Sequence, residues 1–103
     1  MKILDRNVAS VTYSAKDITK PVHFYCDAPK AKEVHLVGDF NEWNPAADGM
    51  QQRVDGWWFI ELILAHGHHR YRFLVDGKPM LDPQASGVSR DDNGEETSVI
   101  AVS

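Results

Sequence analysis

The chain has 103 residues, with 15 Asp and Glu against 11 Lys and Arg, a formal net charge of -4, and 43% hydrophobic residues. That balance fits one soluble globular domain with a modest core and disfavours nucleic acid or an anionic membrane as partner, since either would select a basic face. Cys26 is the single cysteine, which excludes an intrachain disulfide and suits a reducing compartment.

The first six residues, Met1 to Arg6, carry charge where a secretory leader needs an apolar stretch. No run nears the ~18 apolar residues of a membrane span. A cytoplasmic location is therefore expected. Helical spacing of apolar residues is absent, and period-two alternation recurs in short segments between turn signals. The expected fold is all-β, an antiparallel sandwich.

In chain order, Val8 to Tyr13 reads as a first strand, with Val11 and Tyr13 on one face. Val22 to Cys26 follows, with Val22, Phe24 and Cys26 facing one way, and Asp27 to Lys30 turns it into Val34 to Val37. The segment Gly38-Asp39-Phe40-Asn41-Glu42-Trp43-Asn44-Pro45 then breaks the alternation with turn-forming residues, yet carries a tryptophan. That indole is either folded back onto the sandwich edge or held out as a platform, since functional side chains are often presented on loops over a rigid scaffold.

Asp55-Gly56 introduces a long strand, Trp57 to Leu64, which Ala65 to His68 turns back into His69 to Val75. Asp76 to Pro79 ends that strand. The polar stretch from Asp82 to Glu96 reads as a loop, and Thr97 to Val102 as the last strand. A hairpin with a four-residue turn would set Leu64 opposite His69, Leu62 opposite Tyr71, Ile60 opposite Phe73 and Trp58 opposite Val75, an apolar inner face. The same register sets Glu61 opposite Arg72, an ordinary cross-strand ion pair. It also leaves Trp57, Phe59, Ile63 and Leu74 on an outer face that is too apolar for solvent alone. The N-terminal strand, a second copy of the chain or a ligand would cover it.

Catalysis finds no footing. Asp39 and Glu42 are near in sequence, but a small sandwich's turn gives them no cleft of the kind that glycosidase carboxylate pairs require. Cys26 lies on an inward face, unlike a reactive thiolate. His66, His68 and His69 form a polar turn without the converging ligands a metal needs, and Asp91 to Glu96 lacks the spacing of a calcium loop. No cofactor and no metal are expected, and the acidic run reads as a solvated loop.

The order Val34-His35-Leu36-Val37-Gly38-Asp39-Phe40-Asn41-Glu42-Trp43-Asn44-Pro45, then Trp58, Gly67, Tyr71-Arg72-Phe73-Leu74-Val75-Asp76-Gly77, Asp82-Pro83, Gly94 and Ser98 to Val102 resembles family 48 carbohydrate-binding modules. These include the glycogen-binding domain of AMP-activated protein kinase β subunits and the N-terminal module of isoamylases and branching enzymes. The resemblance covers about residues 20–103, with 1–19 left as an extension or extra strand, in a single domain over 1–103. It implies an immunoglobulin-like early-set β-sandwich that binds α-glucan (glycogen, starch or maltooligosaccharide) without catalysis, alone or by recruiting a glucan-active enzyme.

Carried over by position, Trp43 matches the first aromatic platform and Arg72 the basic residue that bonds sugar hydroxyls. The second platform tryptophan would fall at Pro79. The late binding loop would fall at Asn93 to Thr97, which makes Asn93 and Thr97 candidate hydrogen-bonding residues. Trp57 is either a replacement for the missing ring or a contact for self-association through a Trp57/Phe59/Leu74 face. Met80 offers a further apolar contact. Indole covers the C–H face of a glucose ring, and a planar guanidinium meets its hydroxyl rim. A partly buried ring, worth less than the roughly 1.5–3 kcal/mol of full burial, plus a few exchanged hydrogen bonds, points to affinity near millimolar, about -4 kcal/mol. The alternative is a protein-interaction or assembly module that keeps the fold and has lost sugar binding; Pro79 and the apolar outer face favour it.

Overall fold

The computed structural model describes residues 18–103, so the expected Val8 to Tyr13 strand lies outside the described residues. Among them, eight strands form: β1 (Thr19–Asp27), β2 (Val34–Gly38), β3 (Gln51–Gln52), β4 (Trp57–Ala65), β5 (Gly67–Val75), β6 (Lys78–Met80), β7 (Gly87–Arg90) and β8 (Glu96–Val102). They make a three-stranded sheet ordered β1-β4-β3 and a five-stranded sheet ordered β2-β5-β8-β7, with β6 also paired to β5. The pairs are all antiparallel. The result is the all-β sandwich that the alternation implies, with the immunoglobulin-like form that the resemblance implies.

Alternation sends one side of each sheet inward. Phe24 and Cys26 of β1 pair with Ile60 and Trp58 of β4, while Leu36 of β2 pairs with Phe73 of β5. Phe24, Cys26, Leu36, Trp58, Tyr71 and Phe73 are all buried in one core. Phe24 meets Tyr71 edge-on at 4.9 Å between ring centroids, across the gap between the sheets. The Trp58 indole N–H donates to the Ala28 carbonyl at 2.8 Å, so its one polar group is satisfied inside. Tyr71 donates its hydroxyl to Asp82 Oδ2 at 2.6 Å, and burial, then that bond and charge, push its pKa upward. Burial first, then Asp82 and Asp27, lift the Cys26 thiol to about 11, which keeps it an inert core residue.

The expected hairpin between Trp57–Leu64 and His69–Val75 is not formed. β4 pairs with β1 and β3, whereas β5 pairs with β2, β6 and β8; only His66 separates the two strands, and the chain crosses from one sheet to the other there. Gly67 takes a φ of +128° at this corner, a conformation that side chains disfavour. The inward residues are those that alternation marks, because two facing sheets satisfy the same alternation as one hairpin. The cross-strand partners differ. Glu61 lies beside His23, 2.7 Å from its Nε2, and not beside Arg72. Trp57 and Phe59 belong to one sheet and Leu74 to the other, so a single Trp57/Phe59/Leu74 face does not exist.

Two further corrections concern short strands. The stretch from Asp82 to Glu96 is not all loop, because Gly87–Arg90 forms the edge strand β7 against β8. Asp76 and Gly77, with φ of +50° and +85°, make a two-residue turn, and Pro79 pairs with Leu74 in β6 rather than ending β5.

Candidate functional site

Gly38 begins the turn that carries Trp43. A Cβ there would stand 2.6 Å from the Arg70 carbonyl oxygen and from the Phe40 ring, so only glycine fits between β2 and β5. Asn41 then fastens the turn: its Oδ1 accepts from the Gly38 N–H at 3.0 Å, and its Nδ2 donates to the Leu36 carbonyl at 2.9 Å and to Asp48 Oδ2 at 2.8 Å. The Trp43 N–H donates to the Gly38 carbonyl at 2.9 Å. Asp39 extends the ladder, its N–H bonding the Arg70 carbonyl while its Oδ2 accepts from the Arg70 N–H.

Two aromatic residues of this turn part company. Phe40 folds inward, 6.1 Å from the rings of both Phe24 and His69, and packs on the core. Trp43 stays half-buried and outside the core. Glu42 and Trp43 both adopt left-handed φ, +58° and +57°. Each such non-glycine residue costs about 1–2 kcal/mol and is typical of places where a backbone is bent to aim a side chain. Asn41's three side-chain bonds hold that bend.

Trp43 is aimed at Arg72. The guanidinium carbon sits 5.0 Å from the indole centroid, a cation–π stack. Tyr71 and Phe73 point into the core, so Arg72 between them points out of the five-stranded sheet. Its Nε donates to the Glu96 carbonyl at 3.1 Å and its Nη2 to Asp91 Oδ2 at 2.8 Å, with Glu95 Oε1 at 3.7 Å from Nη1. Asp91 is the centre of this arrangement. Its other oxygen, Oδ1, accepts the backbone N–H groups of Asn93 and Glu95, both at 2.9 Å. The Glu95 and Asn93 amides, with the Arg72 charge, hold its pKa below the ordinary carboxylate value.

These residues line a surface cavity of about 500 Å3. Asp39 and Arg70 line it with them, as do Asp92, Asn93 and Glu95 of the loop before β8. A second cavity of about 280 Å3 adjoins it through Arg72 and Glu95 and is walled by Pro79, Met80 and Leu81. One planar cation thus serves two recesses, with an indole in one and an apolar Pro-Met-Leu wall in the other.

Of the expected site residues, Trp43, Arg72 and Asn93 come together here. Thr97 does not: it is completely buried, its hydroxyl turned to the Ser89 carbonyl at 3.4 Å, so it has no surface to offer a ligand. Trp57 lies on the other sheet, in a separate cavity with Tyr25 and Arg53, and cannot replace the ring missing at Pro79. Asp91 is masked in the sequence because it stands in a run of acidic residues. Its signal was the turn pattern Asp91-Asp92-Asn93-Gly94, in which an aspartate bonds backbone groups two residues on.

Known proteins resemble the chain in sequence. The chain is 43% identical over 63 residues to a 1,4-alpha-glucan branching enzyme GlgB of Lactobacillus acidophilus, a match covering 56% of this chain and 10% of that protein. It is 39% identical over 69 residues to GlgB 2 of Xanthomonas oryzae (62% and 10%) and 41% identical over 56 residues to GlgB of Rhodopseudomonas palustris (54% and 8%). The chain thus spans about a tenth of the length of these relatives. The family model for the glycogen recognition site of AMP-activated protein kinase matches residues 21–103. The chain belongs to that family, the glycogen-binding carbohydrate-binding modules of family 48.

Proposed function

We infer that the chain binds α-1,4-glucan without catalysing its cleavage or transfer, through the surface around Trp43 and Arg72. The observation that carries this reading is the stacked pair itself: an indole on a strained, fastened turn, with a guanidinium held beside it by Asp91. A glucose ring laid on the exposed part of the indole brings its hydroxyl rim toward the Arg72 Nη1 group and the Asn93 amide. Both are directional donors suited to paired hydroxyls. Asp39 would be a poor catalytic carboxylate, since both of its oxygens are engaged, one with the Arg70 N–H and the other 3.3 Å from His69 Nδ1.

A single ring and a few exchanged hydrogen bonds give millimolar affinity for short oligosaccharides, and repeated sites along a polymer raise retention through avidity. The similarity to branching enzymes makes a glucan-active enzyme the natural partner, one that the module would hold near its polymer. Co-sedimentation with insoluble amylopectin tests this. Wild-type chain should pellet with the polymer, while Trp43→Ala and Arg72→Lys should pellet less, with unchanged folding transitions. Equal pelleting of all three would refute a Trp43–Arg72 site. If none pellets and the chain self-associates, the assembly reading, which Pro79 at the second ring's position favours, replaces sugar binding.

A further inference from the structure

We propose that the chain carries a second α-glucan site on the opposite sheet, centred on Tyr25, Arg53 and Trp57; this rests on the reading that the chain takes α-glucan at all. The cavity there holds about 350 Å3, lined by Tyr25, Arg53, Asp55, Trp57 and Gln84. Tyr25 pairs with Phe59 and Asp27 with Trp57, so Tyr25, Phe59 and Trp57 share the outward face of β1 and β4. Phe59 packs beside Tyr25 across the two strands, with ring centroids 5.4 Å apart.

Three parts of the Trp43 site recur here: a ring, a guanidinium over it and a carboxylate that holds the guanidinium. The Arg53 guanidinium carbon stands 5.7 Å from the Tyr25 ring centroid, as that of Arg72 stands over Trp43. Arg53 Nη2 donates to Asp55 Oδ2 at 2.7 Å, as Arg72 donates to Asp91. Asp55 Oδ1 accepts the Trp57 N–H at 3.1 Å, as Asp91 Oδ1 accepts those of Asn93 and Glu95. In each site one carboxylate therefore fixes a turn and a stacked guanidinium together. The Arg53 N–H also donates to the Trp57 carbonyl at 2.7 Å, and the Gly56 N–H to the Arg53 carbonyl at 3.0 Å, which closes the turn between β3 and β4.

Two differences make the second site the more open. The Arg53 side chain is 48% exposed against 15% for Arg72, leaving more of its fork for hydroxyls. It also has a second ring, Trp57, beside the first. Two rings interleaved with a guanidinium, a carboxylate and the Gln84 amide suit the C–H faces and hydroxyl rim of successive glucose units; a protein-contact patch would be more continuously apolar. With sites on opposite sheets, one chain bridges two glucan segments, and its retention on a branched polymer exceeds that of either site alone.

Titration of the full 103-residue Trp43→Ala chain with maltoheptaose, followed by amide and indole NMR shifts, tests the proposal. The expected result is saturable movement of Tyr25, Arg53 and Trp57 resonances up to about 10 mM sugar, abolished by adding Arg53→Ala or Trp57→Ala. Arg53→Ala is included because its exposed side chain can be removed without opening the core. If Trp43→Ala abolishes every shift that wild type shows, the second site is overturned and the Trp43 reading stands. If wild type shows no shift anywhere, both fall. If wild type moves only around Trp57, the second site stands and the Trp43 reading falls. Trp57 shifts that follow protein concentration and ignore sugar would overturn the second site and assign the face to a second copy of the chain.

Discussion

Asp91 shapes the Trp43 site by joining its own turn to the Arg72 guanidinium, 19 residues away along the chain. Asp91→Ala removes the acceptor for Arg72 Nη2 and for two backbone N–H groups at once. We expect weaker maltoheptaose binding by about 3–10-fold, read by calorimetric titration. Asp91→Asn, which keeps an oxygen for the turn and loses the charge that holds Arg72, should restore the folding transition more than the affinity. The pKa values of Asp91 and Asp55 are lowered in the fold by backbone N–H bonds first and by their arginines in addition. A carboxylate with a depressed folded pKa stabilises the fold above its unfolded value and stops doing so as pH falls through the folded one. Thermal unfolding should therefore be insensitive to these two groups from neutral pH down to the ordinary value of 3.8, and the transition should drop below it. Trp43 stands out in the sequence as a tryptophan in a Gly-Asn-Pro turn, whereas Arg72, an ordinary outward residue between two inward aromatics, is marked only by the family resemblance. Asp91 is marked by neither, since a carboxylate among carboxylates looks like solvated charge until its hydrogen bonds are seen.

At the level of strands, the corner between β4 and β5 decides the topology. Gly67 stands there at φ +128°, with no described atom within 4 Å of where a Cβ would go, so a side chain meets a backbone penalty without a steric one. Gly87, at the start of β7, has the same open surroundings and an ordinary φ. Gly67→Ala should destabilise the protein by about 1–2 kcal/mol, while Gly87→Ala should be neutral or slightly stabilising, as measured by denaturant unfolding. Equal effects would mean that the corner is not where the conformational demand lies. The strands themselves were readable because alternation marks inward residues such as Phe24, Leu36, Trp58 and Phe73 whatever they pair with. Their partners were not readable, since a hairpin and a crossing between facing sheets impose the same alternation. β7 escaped notice for a different reason: an edge strand of Gly87, Val88, Ser89 and Arg90 buries too little to leave a hydrophobic pattern.

For the whole molecule, the sandwich acts as a rigid spacer that sets turns and edge residues of its two sheets against different parts of the solvent. The core residues carry stability, while both stacked guanidinium–ring pairs lie outside it. Membership of the glycogen-recognition family supplies the ligand class, and the geometry supplies the residues that would meet it. The proposed binding mode makes Trp43 a sugar platform and not a lid on the core. Titration of the wild-type chain with maltoheptaose, watched through the Trp43 indole N–H and the backbone amides of Arg72 and Asn93, tests it most directly. These three resonances should move together and saturate with a Kd of about 1 mM, and Trp43→Ala should silence the Arg72 and Asn93 responses while the protein stays folded. If these resonances hold still up to about 10 mM sugar, or if Arg72 and Asn93 respond unchanged without the indole, Trp43 is not the platform.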